Sequence, residues 1–383
     1  MNLSAQMHSH WSTARRSVAD FLYESRLLFA TFVVSRLLIF AVILLSRMIL
    51  VRADSWHPGG LLSVLGQWDA DLWYMEVARN GYTFNTHWPS SVPFFPMFPI
   101  LMRLVSFIFH DMRIAGFIVP HVCLLIAGLC LHALVRADYA DPRVSRVAVT
   151  FLMFNPAAFF LSHAYSESTF LMFAISSLLC AIKGRWLPAC LLALCLSASR
   201  NVGVLMGLPL FIEYLRQHWN QPYRGLFRPR ILLLGLAPLG LFGYMLFQYL
   251  KFNDPIAFVH ASVVWGREFV SPKTTWATLG RYTPFLKVLF LTSMATAMLL
   301  WATGLWLRIR ASYLVFAGLL TIMYWCANAM EAWPRYLSVE FPLYIVLGII
   351  ASRIKWSYEP ILAASITALV ISTVLSATGF WIT

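Results

Sequence analysis

The sequence predicts an all-α polytopic membrane protein, and three observations carry that expectation. Of 383 residues, 60% are hydrophobic and only 12% charged, about half the charged share usual in a soluble domain. The apolar runs are continuous over roughly the 20 residues a helix needs to cross a bilayer, where a barrel strand would alternate over about 10. The 29 Lys and Arg, against 16 Asp and Glu, sit in short clusters between those runs, which is the positive-inside pattern. The formal charge of +13 is therefore read as an orientation signal, and a nucleic-acid partner is not expected.

The elements follow in chain order. The first 25 or so residues are polar and basic (Arg15, Arg16, Arg26) and lead into an apolar run, so the start reads as a cytoplasmic segment with a signal anchor. A first span is expected over 28–51, with Arg36 snorkelling or paired inside the bundle. Residues 52–93 form a long first outer loop, rich in Trp, Asp, Asn, His and Pro, and its length makes it a functional candidate. Segment 94–109 is broken by Pro93, Pro96 and Pro99 and interrupted by Arg103, so it is expected to be re-entrant or interfacial.

A span over 114–135 then returns to a cytoplasmic loop with Arg136, Arg143 and Arg146. The later basic clusters, Lys183 with Arg185, Arg216 through Arg230, Arg308 with Arg310, and Arg353 with Lys355, all fall on the same side. This threading gives about eleven spans in a single domain over 1–383. A second large outer loop covers 251–282, and Lys251, Lys273, Arg281 and Lys287 in or near it are expected to anchor on lipid headgroups. The six cysteines lie in or beside apolar runs without a Cys-x-x-Cys pair, so neither disulfides nor zinc are expected. No cofactor is expected. Nor is there an internal repeat of the kind inverted-repeat transporters carry.

On this threading the polar residues hardest to explain by packing collect on the outer side. Asp69 or Asp71, in Trp68-Asp69-Ala70-Asp71, can N-cap a short interfacial helix that closes near Gly81. Tyr74, Val77 and Ala78 would share its buried face, with Glu76 and Arg79 pointing away. A carboxylate at that depth can act as general base on a hydroxyl, or serve only as cap and solvated charge. In the block 155–168, Glu167 opens a span and should face a cleft rather than lipid, unless it merely complements the helix dipole. Tyr165 lies beside it, and His163 is expected to be a hydrogen-bonding interfacial residue. Arg200, Arg267 and Arg335 lie at outer ends, against the topological bias. Together they suit a phosphate, which a guanidinium clamps through two N–H groups. Each alone is equally served by an ion pair with Glu167, Asp254, Glu268 or Glu331. Asn201, Asp254 and Tyr336 complete the candidate binding set.

These residues carry a resemblance. The Trp68-Asp69-Ala70 loop ending in Gly81-Tyr82, the run Phe94-Phe95-Pro96-Met97-Phe98-Pro99, the block from Asn155-Pro156-Ala157 to Tyr165-Ser166-Glu167-Ser168, and Asn253-Asp254-Pro255-Ile256-Ala257-Phe258 resemble the PIG-V family. That family comprises the second mannosyltransferase of glycosylphosphatidylinositol synthesis and its prokaryotic relatives. The resemblance implies a GT-C fold and an inverting transfer of a sugar, mannose being expected, from a polyprenyl-phosphate-linked donor to a hydroxyl of a lipid-linked or glycan acceptor on the extracytoplasmic face. It implies Asp69 as the base, with Asp71 second. Arg200 and Asn201 resemble an Arg/Asn element of the family, although Val202 separates Asn201 from Gly203. The alternatives are a lipid or glycan transporter using the outer arginines to bind phosphate, and a non-catalytic subunit of another membrane enzyme. The lack of sequons in the expected outer loops favours a bacterial inner membrane over the endoplasmic reticulum.

Overall fold

The computed structural model describes the backbone of residues 3–50, 73–219 and 229–380, and side chains from Glu24 and Arg230 onward in the first and last of these stretches. Trp68, Asp69 and Asp71 therefore lie outside the described residues. Helices dominate. Among the described residues the only strand-like pairing is one antiparallel bridge, Phe269 with Ala327.

The chain begins with α1 (Leu3–Leu50), of which Glu24–Leu50 is long and apolar enough to cross a membrane. A short α2 (Met75–Asn80) ends at Gly81, whose φ of 84° places it in the left-handed region, a conformation that costs glycine little. Tyr74, Val77 and Ala78 are buried and Glu76 and Arg79 exposed, as the sequence pattern requires. Then come α3 (Met97–Phe109), α4 (Met112–Asp138) and α5 (Pro142–Met153). Asp111 and Asp141 cap the last two through the amides of Arg113 and Arg143. Helix α3 has 13 residues, about 20 Å at 1.5 Å per residue, shorter than a hydrocarbon core. It buries Phe98 and Met102 and exposes Leu104, Phe107 and Ile108.

The centre is α6 (Glu167–Ile182) and α7 (Trp186–Ser197), followed by a 3-10 turn Asn201–Met206 and α8 (Gly207–His218). The second half holds α9 (Leu239–Phe252), α10 (Ala257–Val264), α11 (Pro272–Ala277), α12 (Pro284–Trp306), α13 (Ala311–Trp325), α14 (Trp333–Leu337), α15 (Phe341–Arg353) and α16 (Tyr358–Ala377). Four helices among the described residues have the length and composition of spans, and six do if each bent pair counts as one. One of those pairs, Met330–Leu337 with Phe341–Arg353, bends by 60°. Four further apolar helices, α3, α6, α7 and α13, are shorter than a full span. Among the described residues the bundle is thus built partly from short and broken helices.

Two polar features hold this frame. Arg36 of α1 is buried and paired inside the bundle. Its Nη2 donates to the Met153 carbonyl at 2.8 Å, and its Nη1 to Ala158 O at 3.1 Å and Ser162 Oγ at 2.6 Å, so it ties the end of α5 to the turns that follow. At the start of α13, Arg310 reaches Asp138 and Glu213, donating to both Glu213 oxygens at 3.0 Å, while Tyr313 donates to Asp138 at 2.7 Å. Arg310 was expected to be an orientation signal, and it is also a cross-link between α4, α8 and α13. Close helix packing requires glycine at Gly348 of α15, where a Cβ would stand 2.4 Å from the Val144 carbonyl oxygen of α5.

Candidate active site

A cavity of about 320 Å³ opens at the end of the bundle away from Arg310. Tyr313 and Tyr324, at the two ends of α13, are eleven residues apart, about 16 Å along a helix axis; the first belongs to the Arg310 network and the second lines the cavity. Segments remote in sequence meet here. Tyr165, Glu167, Arg200 and Asn201 line it from the first half of the chain, and Arg267, Arg335 and Tyr336 from the second. Asp254 does not. Its carboxylate accepts from the Ile256 amide at 3.0 Å and pairs with His260 at 2.7 Å, so it fixes the start of α10, whose Phe258, Val259 and Ser262 reach the wall.

The electrostatic centre is Glu167. Its Oε1 accepts from Arg200 Nη1 at 2.6 Å and lies 3.3 Å from Arg335 Nε, and all three side chains are at most 12% exposed. The ion-pair role open to Arg200 and Arg335 in the sequence is therefore met, and the two guanidiniums share one carboxylate. Among the described residues the centre holds two positive charges against one negative. Arg200 also lies 4.8 Å from the centroid of the Tyr336 ring, with Arg335 5.0 Å from Tyr336 and 5.1 Å from Tyr165, within the range of cation–π attraction.

Local sequence puts these groups in place. Asn155 donates to Leu152 O at 2.8 Å and accepts from the Ala157 amide at 2.9 Å, closing α5. The chain then makes successive turns, and Ser168 Oγ donates back to Leu161 O at 2.8 Å. Glu167 follows as the first residue of α6. Arg200 is held in extended backbone between α7 and the 3-10 turn, which folds back so tightly that a Cβ on Gly203 would lie 2.3 Å from Leu196 O. Arg335 and Tyr336 are carried by α14, in the bent pair. Beyond the rim, Tyr282 donates to Glu331 Oε2 at 2.6 Å, and burial followed by that carboxylate holds its phenol above the ordinary value.

An aromatic wall stands beside the charges and was not anticipated. Trp73 stacks on Phe94 with centroids 5.6 Å apart and 4° between planes, and Trp265 meets Trp73 edge-on at 5.2 Å. Tyr74 packs edge-on against Phe94 at 5.0 Å and donates to Ser166 Oγ at 3.0 Å. Tyr324 packs on Tyr336 at 4.9 Å. His163 is buried among Phe159, Phe160 and Tyr165, and among the described residues its Nδ1 has no partner. Glu340 is a further buried acid that sequence reasoning missed; Thr321 donates to its Oε2 at 2.9 Å. Among the described residues no group of three or more His, Cys, Asp or Glu could hold a metal ion.

Comparison with known proteins agrees with the motifs. Residues 50–207 match the family model "Mannosyltransferase (PIG-V)". The GPI mannosyltransferase 2 of Chaetomium globosum is 26% identical over 189 residues, covering 41% of this chain and 40% of the relative. The GPI mannosyltransferase 2 of Drosophila pseudoobscura pseudoobscura is 31% identical over 128 residues, 31% of this chain and 27% of the relative. The matches thus span less than half the length of these relatives. A crystal structure of an Archaeoglobus fulgidus oligosaccharyltransferase superposes with a TM-score of 0.50 at 15% identity, over 91% of this chain and 53% of that one, a likeness of fold. The chain is a membrane protein of GT-C-like fold whose residues 50–207, the stretch that supplies Glu167 and Arg200, are similar to the PIG-V mannosyltransferases.

Proposed function

We propose that the protein is a membrane glycosyltransferase that moves mannose from a polyprenyl-phosphate-linked donor to a hydroxyl of a lipid-linked or glycan acceptor, with inversion at the anomeric carbon. The observation that carries this reading is the convergence of Arg200 and Arg335 on Glu167 in a cavity at one end of an apolar bundle. Breaking the bond between C1 of the sugar and the phosphate oxygen leaves charge on the phosphate. Preorganised guanidiniums in a water-poor site stabilise that charge as it develops. Glu167 holds both arginines in place, Asn201 and Tyr336 complete the wall, and Arg267 at the rim attracts the incoming anion.

The proton balance needs a base. The acceptor hydroxyl gives its proton to Asp69, its oxygen attacks C1 opposite the phosphate, and the phosphate leaves with the bonding electrons. Asp69 and its neighbours Trp68 and Asp71 are assigned from the motif in the first loop, over 52–93, which feeds α2 and the cavity wall. Asp254 is left with a structural part in placing α10. Segment 94–109 is re-entrant or lies along the membrane surface, and 251–282 forms the second outer loop. The cavity faces the periplasm of a bacterial inner membrane, with the lumen of the endoplasmic reticulum as the alternative.

The test is transfer from radiolabelled polyprenyl-phosphate mannose by purified protein in liposomes. Asp69→Asn should reduce transfer by about 10²–10⁴-fold, the usual worth of a general base, and Asp71→Asn by less. Full transfer in Asp69→Asn would remove that residue from the role, and no transfer by the wild-type protein with any polyprenyl-phosphate hexose would overturn the function.

A further inference from the structure

On the cavity-lining residues, Oε2 of Glu167, Nε1 of Trp265 and the hydroxyl of Tyr324 are buried without a hydrogen-bond partner among the described residues. A buried polar atom left unsatisfied costs about 1–3 kcal/mol, and most such groups in folded proteins are paired. Here one acceptor and two donors remain on the walls of one cavity. Glu167 is 1% and Tyr324 2% exposed. The Arg200 guanidinium takes Oε1 of Glu167, so the open oxygen is the one not committed to the ion-pair centre.

The surroundings indicate what would satisfy them. Tyr324 packs on Tyr336, and Trp265 belongs to the cluster with Trp73 and Phe94. Aromatic faces and edges offer apolar surface, and each open atom adds one directed hydrogen bond. A tetrahedral anion such as phosphate accepts hydrogen bonds from donors, and has no use for the open carboxylate oxygen. A ring that is apolar on its faces and carries hydroxyls around its edge uses all three.

We propose that Tyr324 and Trp265 donate hydrogen bonds to the hydroxyls of a hexopyranose ring, and that Glu167 Oε2 accepts one from them, forming a sugar subsite beside the anion position at Arg200 and Arg335. This deepens the reading given above, since it names residues that select the transferred sugar, and it stands apart from the phosphate assignment. Tyr324 then serves specificity, although its phenol makes no hydrogen bond among the described residues.

The experiment measures binding of three soluble probes to detergent-purified protein by calorimetry: mannose 1-phosphate, inorganic phosphate and methyl α-mannoside. The variants are Tyr324→Phe and Trp265→Phe, which keep the ring and lose the donor. Each should weaken mannose 1-phosphate and methyl mannoside by about three- to tenfold, the worth of one hydrogen bond, and leave inorganic phosphate unchanged. Thermal denaturation of Tyr324→Phe should occur at or above the wild-type temperature, because the lost hydroxyl has no partner among the described residues. Equal weakening of all three probes, or a lowered denaturation temperature in Tyr324→Phe, would assign the hydroxyl a structural part and overturn the subsite. So would wild-type protein that binds neither mannose compound. If methyl mannoside responds to both variants while inorganic phosphate does not bind at all, the sugar subsite stands and the phosphate reading falls.

Discussion

Oε1 of Glu167 lies 2.6 Å from Nη1 of Arg200, 33 positions further along the chain, and the two side chains are only 2% and 12% exposed. Removing one member of such a pair strands the other without its counter-charge. Glu167→Gln keeps the volume but leaves Arg200 and Arg335 facing each other, and should destabilise the protein by about 3–5 kcal/mol. Thermal denaturation in detergent reads the change directly. An unchanged midpoint would mean that the two guanidiniums are neutralised elsewhere.

How far this centre was legible before folding depends on the residue. Glu167, Arg200 and Arg335 stood out because their charges oppose their surroundings, an acid opening an apolar run and basic groups at outer ends. Tyr324 and Trp265 did not, since aromatic residues at the end of an apolar stretch equally mark the membrane interface. Arg310 was hidden for a related reason: a positive-inside pattern counts charges without asking for partners, and only the fold brings Glu213 and Asp138 to it. The ends of two helices follow the cavity, which hydrophobic periodicity does not show. Helix α7 stops at Ser197 and α13 at Trp325, where the chain turns aside to place Arg200 and reaches the cavity wall at Tyr324.

Arg200→Lys separates charge from geometry. Lysine keeps the positive charge but lacks the planar fork that can hold a carboxylate and a phosphate at once. With Glu167 retained, folding should be close to wild type, while transfer falls by about 10²–10³-fold, the measured scale for losing one preorganised donor. Steady-state transfer at saturating donor checks this. Wild-type rates in Arg200→Lys would show that a point charge suffices.

Arg36→Met tests the support behind the 155–168 turns. The substitution leaves the carbonyls of Met153 and Ala158 and the Ser162 hydroxyl without their shared donor, at about 1–3 kcal/mol for each group that water cannot reach. Loss of stability should be accompanied by loss of transfer, because Glu167 opens the helix that these turns lead into. Hydrogen–deuterium exchange should rise in 154–166 before it rises in α4. Uniform exchange across both would assign Arg36 a global rather than a local part.

Gly348→Ala probes the frame far from the cavity. The added methyl would meet the Val144 carbonyl oxygen at 2.4 Å, and helix backbones cannot yield as a flexible side chain does. Overpacking of this kind costs about 1–3 kcal/mol, so the denaturation midpoint should fall. Affinity for mannose 1-phosphate in the folded fraction should stay at the wild-type value, since α5 and α15 meet here through Val144 and Gly348, neither of which lines the cavity. The contrast with Glu167→Gln is the informative part. If both variants lose stability but only Glu167→Gln loses ligand, packing and recognition reside in separate parts of the bundle. If Gly348→Ala loses ligand in proportion to its stability, the bent pair that carries Arg335 transmits strain from α15 to the site.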